Sequence, residues 1–199
     1  DFLPDGGVLV GTRFGEVEQL HRVAMPLGAR EQVTFYPEPV AAAVAPQTAG
    51  AAGFAFLKDR GGDENAQVHG YRFADRSVRM RTDGRSLHGG LAWSRDGKQL
   101  AFHGNGRDGV SYDLYLADVG AGTPPRFLVA GQNRQLQALD WSPDGRRLLV
   151  RHFVSANESY LYLADTASGA LTRLPTTQPP GVAARPGNGA AGPAPGGGG

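Results

Sequence analysis

The sequence predicts an all-β chain: a β-propeller of four-stranded antiparallel blades, about four of them present, forming an incomplete arc of a larger propeller. Three observations predict it. The phrase WSRDGKQLAF from Trp93 returns as WSPDGRRLLV from Trp141. The pentapeptide LYLAD occurs at 114–118 and again at 161–165. The register positions Leu20, Val68, Leu114 and Leu161 are spaced by 48, 46 and 47 residues, the period of about 40–50 residues that propeller repeats have. Paired-helix repeats are excluded, because no segment sustains apolar residues at i, i+3, i+4 and i+7.

Each unit can be read strand by strand. In the third, LAWS ends an inner strand at Trp93, and Ser-x-Asp-Gly makes a tight turn. Asp96 and Gly97 are turn residues, since glycine accepts the positive φ that other residues resist. QLAFHG (99–104) is then the second strand, LYLAD the third, and RFLVA the fourth. The last unit repeats this order through Trp141, Asp144 and Gly145, with RLLVRH (147–152), LYLAD and LTRLP. Upstream the pattern is weaker. FLPDGGVLVGTRFGEVEQLHRV places Phe2 at the tryptophan position and Pro4-Asp5-Gly6 at the turn, while FAFLKDRGGDENAQVHGYRF supplies a second strand, a loop and a third strand. The blades are expected at about 1–40, 41–90, 91–138 and 139–174, with Trp93 and Trp141 packing between neighbouring sheets. The stretch 175–199 is almost entirely Pro, Gly and Ala with one charge, Arg185. It has no bulky side chains to bury in return for ordering, so it reads as a linker or a disordered end.

Composition narrows the function. The chain has 199 residues, a net charge of +1 and no cysteine. Its basic residues are arginines in no long run, apart from Lys58 and Lys98. No charge imbalance calls for nucleic acid or an anionic membrane, no apolar run is long enough to span a bilayer, and thiol chemistry is excluded. The chain opens on Asp1, without methionine or a leader pattern, which reads as a piece of a longer product with its N-terminus missing. The compartment is left open between cytoplasm and periplasm. An arc of four blades exposes apolar sheet at both ends, so further blades are expected on one or both sides.

WSPDGRRLLV together with YLYLAD resembles the propeller repeats of TolB-like proteins and of the prolyl oligopeptidase family of serine peptidases. DRGGDENAQVHGY (59–71) is similar to a Gly-Gly-Asp-Glu-Asn-x-Gln stretch of the acylaminoacyl- and dipeptidyl-peptidase-like members, and 12–40 resembles their early blades. The resemblance covers 1–174. It implies an N-terminal propeller that caps a separate α/β-hydrolase domain and filters peptides. The partners it implies are a peptide substrate and that hydrolase domain of the same parent chain.

No catalytic residue is expected in this chain. A nucleophile elbow needs Gly-x-Ser-x-Gly, and GVSYD (109–113) puts Asp113 where the last glycine belongs, so Ser111 reads as a loop serine. HGG (88–90) imitates an oxyanion loop but leads into an inner strand. The histidines His21, His69, His88, His103 and His152 lack metal-ligand spacing, and no metal or cofactor is expected. GGDEN offers oxygen ligands without the spacing of a calcium loop. NES (157–159) fits a glycosylation acceptor and is given no role. What signal exists lies in the connections between second and third strands, expected as loops at 13–18, 60–65, 104–112 and 153–159 on one rim. Arg13, Glu16, Arg60, Asp63, Glu64, Asn65 and Arg107 are the candidate substrate- or partner-facing residues: carboxylates for a peptide's amino terminus, arginines for a carboxylate. The alternatives to the peptidase propeller are a TolB-like protein-binding propeller and a general WD-repeat-type scaffold.

Overall fold

The computed structural model describes residues 1–26, 28–119 and 122–175, and the strands within them form four antiparallel sheets. The first sheet holds β1 (Val8–Thr12), β2 (Gln19–Ala24) and β3 (Ala29–Gln32). The second holds β4 (Ala42–Val44), β5 (Gly53–Lys58), β6 (Gln67–Arg72) and β7 (Val78–Met80). The third holds β8 (His88–Trp93), β9 (Gln99–Gly104), β10 (Asp113–Asp118) and β11 (Arg126–Val129). The fourth holds β12 (Gln135–Trp141), β13 (Arg147–Ser155), β14 (Glu158–Asp165) and β15 (Leu171–Arg173). Strands pair in chain order within every sheet. The fold is the expected propeller arc, and the arc is not closed.

Two expectations need correction. The first unit has three strands, its inner strand being reduced to a single bridge between Phe2 and Val8. The sheet boundaries also shift: the third sheet begins at His88 rather than at 91, and the fourth at Gln135 rather than at 139, because the inner strands reach back toward the preceding outer strand. The Gly/Pro/Ala-rich stretch expected from 175 lies outside the described residues from 176 onward.

Sheets stack because both faces of each strand pair are apolar. Leu9 and Leu20 of the first sheet meet Phe54, Phe56 and Tyr71 of the second. Leu57 and Val68 turn to the other side and meet Leu100, Phe102 and Ala117 of the third. Leu114 and Leu116 then meet Leu136, Trp141, Leu148 and Val150 of the fourth. Alternation makes this arrangement unavoidable: when Leu100 and Phe102 face back, Ala101 and His103 face forward.

The repeated phrase fixes how one sheet attaches to the last. The indole N–H of Trp93 donates to the Val44 carbonyl at 3.0 Å, and that of Trp141 donates to the Ala92 carbonyl at 2.9 Å. Each tryptophan thus fastens its inner strand to the inner strand before it, 49 residues back in both cases. The turn that follows is closed by its own side chains. Ser94 and Ser142 donate to Asp96 and Asp144, which in turn accept from the backbone of Lys98 and Arg146. Gly97 and Gly145 sit at φ of 69° and 70°, which is why the phrase keeps glycine there.

Replacing Trp141 by Phe keeps most of the buried ring and removes the donor, leaving the Ala92 carbonyl without its interblade partner. The expected outcome is a loss of about 1–3 kcal/mol in urea denaturation. The same change at the half-buried Trp93 is expected to lose less. An unchanged Trp141→Phe midpoint would show that packing alone joins the sheets.

Candidate functional site

Strand order places the β1–β2, β5–β6, β9–β10 and β13–β14 connections on one rim, with the links between successive sheets. Buried side chains brace this rim from beneath. Gln19, 6% exposed, donates to the Tyr36 and Glu38 carbonyls and accepts from the Tyr36 amide. Gln67 does the same in the next sheet: it donates to the Asn65 and Ser86 carbonyls and accepts from Thr82 and Gly84. The hydroxyls of Thr34 and Thr82 accept the amides of Leu20 and Val68. In the third sheet Asp113 stands at the glutamine's register and is fully buried. It accepts the Gly131 amide at 2.7 Å and both Nε and Nη2 of Arg107. The Gln-x-His pair at 19–21 and 67–69 is the sequence signal of this brace.

The sequence-selected residues divide accordingly. Arg13 and Glu16 are exposed on the β1–β2 loop. Arg60, Asp63 and Glu64 are exposed on the β5–β6 loop, with Asn65 partly covered. Asp63 accepts the Arg60 and Asn65 amides, closing a small turn in which Gly61, Gly62 and Glu64 all have positive φ. That loop is tied down by Glu38, which accepts the Gly61 amide and pairs with the buried Lys58 at 2.9 Å. Arg107 is engaged by Asp113 and Asp108, so its fork braces its own loop. The expected polar loop at 153–159 is mostly strand: β13 runs to Ser155 and β14 starts at Glu158. Phe153, Val154 and Ser155 continue a β-favouring run, and only Ala156 and Asn157 make the turn.

Two segments that imitate hydrolase chemistry are structural. Ser111 is fully buried and donates to Asp108 at 2.6 Å. That bond, with the amides of Val110 and Ser111, holds the Asp108 carboxyl down to about 2. HGG lies within β8, where the ring of His103 rests on the backbone of Gly89 and Gly90. A Cβ on Gly90 would fall 2.7 Å from its Nδ1. His88 rests reciprocally on Gly104. Among the described residues no cluster of three or more His, Cys, Asp or Glu could hold a metal ion.

Below this rim, between the second and third sheets, opens a cavity of about 580 Å³, a size suited to a small ligand or a peptide side chain. Phe102 and Tyr115, stacked at 5.7 Å, form an aromatic wall. Arg81, Asp83, His88 and Arg107 supply the polar lining. Arg81 Nε and His88 Nδ1 have no hydrogen-bond partner. Hydrogen bonds from Ser86 and Arg85 hold the Asp83 carboxyl at about 2 despite its partial burial. The lining thus combines an apolar wall, one carboxylate and two guanidinium groups.

Burial, with a smaller contribution from His88, pushes the His103 imidazole down to about 4. Between about pH 6.5 and 4 the unfolded chain binds a proton that the folded chain does not. Stability is therefore complete above pH 6.5 and falls by up to about 3 kcal/mol as pH drops toward 4. Urea midpoints measured across this range are expected to decline, and His103→Gln is expected to make the decline shallower.

No protein-family model matches the sequence, and no curated protein matches it. The similarity is to solved structures. The putative TolB from Agrobacterium tumefaciens is 20% identical with a TM-score of 0.66, over 89% of this chain and 61% of that one. TolB from Acinetobacter baumannii is 18% identical with a TM-score of 0.60, over 87% and 42%. A prolyl endopeptidase is 12% identical with a TM-score of 0.64, over 86% and 30%. This chain thus spans between about a third and three fifths of those proteins' length. The fold is that of both families whose repeats the sequence resembles.

Proposed function

We propose that this chain is the propeller portion of a prolyl-oligopeptidase-like serine peptidase, restricting which peptides reach a hydrolase domain outside this chain. The observation that carries the reading is the rim. Exposed charges of both signs, Arg13 and Glu16 on one loop and Arg60, Asp63 and Glu64 on the next, stand on loops held by buried braces. Carboxylates so placed suit a peptide's amino terminus, and the arginines its carboxylate. The cavity walled by Phe102 and Tyr115 suits an apolar side chain between them. Selection would be by size and by termini, with bond cleavage supplied by the other domain. The Gly-Gly-Asp-Glu-Asn stretch lies on this same rim, in line with the peptidase resemblance.

A second reading, a TolB-like propeller that docks other proteins through its face, is favoured by the extent of the likeness to the Agrobacterium tumefaciens structure.

The two separate on the whole parent protein. Under the peptidase reading it hydrolyses a chromogenic dipeptide and short peptides but spares long ones, and the hydrolase domain expressed without the propeller loses that size limit. Replacing Arg60, Asp63 and Glu64 together by Ala is expected to raise KM for peptides about 2–10-fold, the scale of one or two exposed ion pairs. A parent protein with no hydrolytic activity, or a size limit independent of the propeller, overturns the reading.

A further inference from the structure

Two departures from the repeat open the cavity between the second and third sheets. In three of the sheets the residue just past the outer strand donates its amide to the carbonyl of the register residue: Val33 to Leu20, Arg81 to Val68 and Leu174 to Leu161. Val33 is apolar and packs into the core between the first and second sheets; the second sheet has an arginine at this place. The other departure is Gly70, two residues beyond Val68. Its counterpart two residues beyond Leu114 is Leu116, buried against the fourth sheet. The guanidinium of Arg81 lies over Gly70, where a Cβ would stand 3.3 Å from its Nε. Its Nη2 crosses to the third sheet and donates to the Val119 carbonyl at 3.0 Å. An arginine and a glycine thus stand where another interface is filled by apolar side chains, and about 580 Å³ is left open beside Arg81.

Arg81 is the charged group of this lining that keeps unused donors. Asp83 accepts the amides of Arg85 and Ser86 and the Ser86 hydroxyl. Arg107 is held by Asp113 and Asp108. The guanidinium of Arg81 makes only its bond to Val119 among the described residues, and its Nε is buried without an acceptor. A guanidinium carries five N–H donors, and taking it out of water without an anion is costly. Burial, with the charge of Arg79 nearby, accordingly pushes its pKa down. The rest of the lining is apolar: Met80, Phe102, Tyr115 and Pro124. We propose that this cavity binds a carboxylate carried on a compact apolar body, the carboxylate on the free donors of Arg81 and the body against Phe102 and Tyr115. Asp83 in the same lining disfavours a second negative charge, so a carboxylate suits the site better than a phosphate dianion. A free small acid and the carboxy-terminal residue of a peptide present the same group. Binding here does not require the peptidase reading, because a protein without hydrolytic activity holds such an acid equally well.

The test is titration calorimetry of the full-length protein with phenylacetate, with its neutral counterpart phenylacetamide, with acetate, and with a pentapeptide ending in phenylalanine and a free carboxylate. Phenylacetate is expected to bind at least about tenfold more tightly than phenylacetamide, the scale of one charged hydrogen-bonded contact. Acetate, which lacks the apolar body, is expected to bind at least about tenfold more weakly than phenylacetate. Arg81→Met keeps the stem and removes the charge; it is expected to bring phenylacetate down to the affinity of the amide while leaving the amide unchanged. Should that variant lose its strand signal in circular dichroism, Met80→Glu takes its place. Met80 is 51% exposed in the lining, and a carboxylate there is expected to weaken the acid and spare the amide. A pentapeptide bound within tenfold of phenylacetate assigns the site to peptide termini, and one bound more weakly than that assigns it to free acids; both outcomes support the carboxylate site. Equal affinity for phenylacetate and its amide overturns the proposal. So does binding of the acid that the Arg81 or Met80 variant leaves unchanged, or no binding of the acid up to about 10 mM. Loss of this site leaves the size limit on hydrolysed peptides untouched, so the two readings fail separately.

Discussion

Apolar side chains on both faces of every sheet, and the need to cover both, govern this molecule. A sheet that is apolar on one side can rest on a core and turn its other side to water. These sheets cannot: in β9 the residues facing backward, Leu100 and Phe102, and the forward-facing Ala101 are all buried at 1% exposure or less. The only arrangement that satisfies such strands is a stack in which every sheet has two neighbours. The tryptophan bond gives the stack its register. Non-directional apolar packing would tolerate sliding, whereas an indole N–H reaching a particular carbonyl of the preceding inner strand does not.

Given the stack, the rims are what remains for recognition. One rim is occupied by the Ser-x-Asp-Gly turns, whose side chains are consumed in holding the turn itself. The opposite rim carries connections of unequal length over a recurring kind of brace: Gln19, Gln67 and then Asp113, each bound to the backbone of the link to the next sheet. Because the brace acts through main-chain groups, the loops above it are free to differ in sequence. The charges of the first two loops are accordingly available, while Arg107 in the third is drawn inward by a fully buried carboxylate that requires a partner.

Fold and sheet order were legible because they rest on periodic features. The recurrences of Trp93 with Trp141 and of Leu114 with Leu161 record the blade period, and alternation within LYLAD records the two covered faces. The clamps of Gln19, Gln67 and Asp113 recur at the blade period, but glutamine gives way to aspartate in the third sheet, so only the repeated Gln-x-His marked them and their backbone partners were not legible. Nor was the reason for HGG, since the ring that requires those glycines, His103, lies on another strand. The 153–159 segment misled because Ser, Asn and Glu suggest a loop. Phe153 and Val154 instead carry β13 on to Ser155, and β14 resumes at Glu158. The candidate rim residues were placed on one edge by topology alone, but which of them are free to bind depended on partners that topology does not name.

The same logic separates the two ends of the arc from its middle. Substitutions within the stack act on two interfaces at once, because forward- and backward-facing residues alternate along one strand and share its backbone. Leu149 and Leu163 are joined to that network on one side only. They can change without disturbing the cavity between the second and third sheets or the loops above it. The rim and the outer faces of the end sheets are joined only through sheets whose packing leaves little room to move.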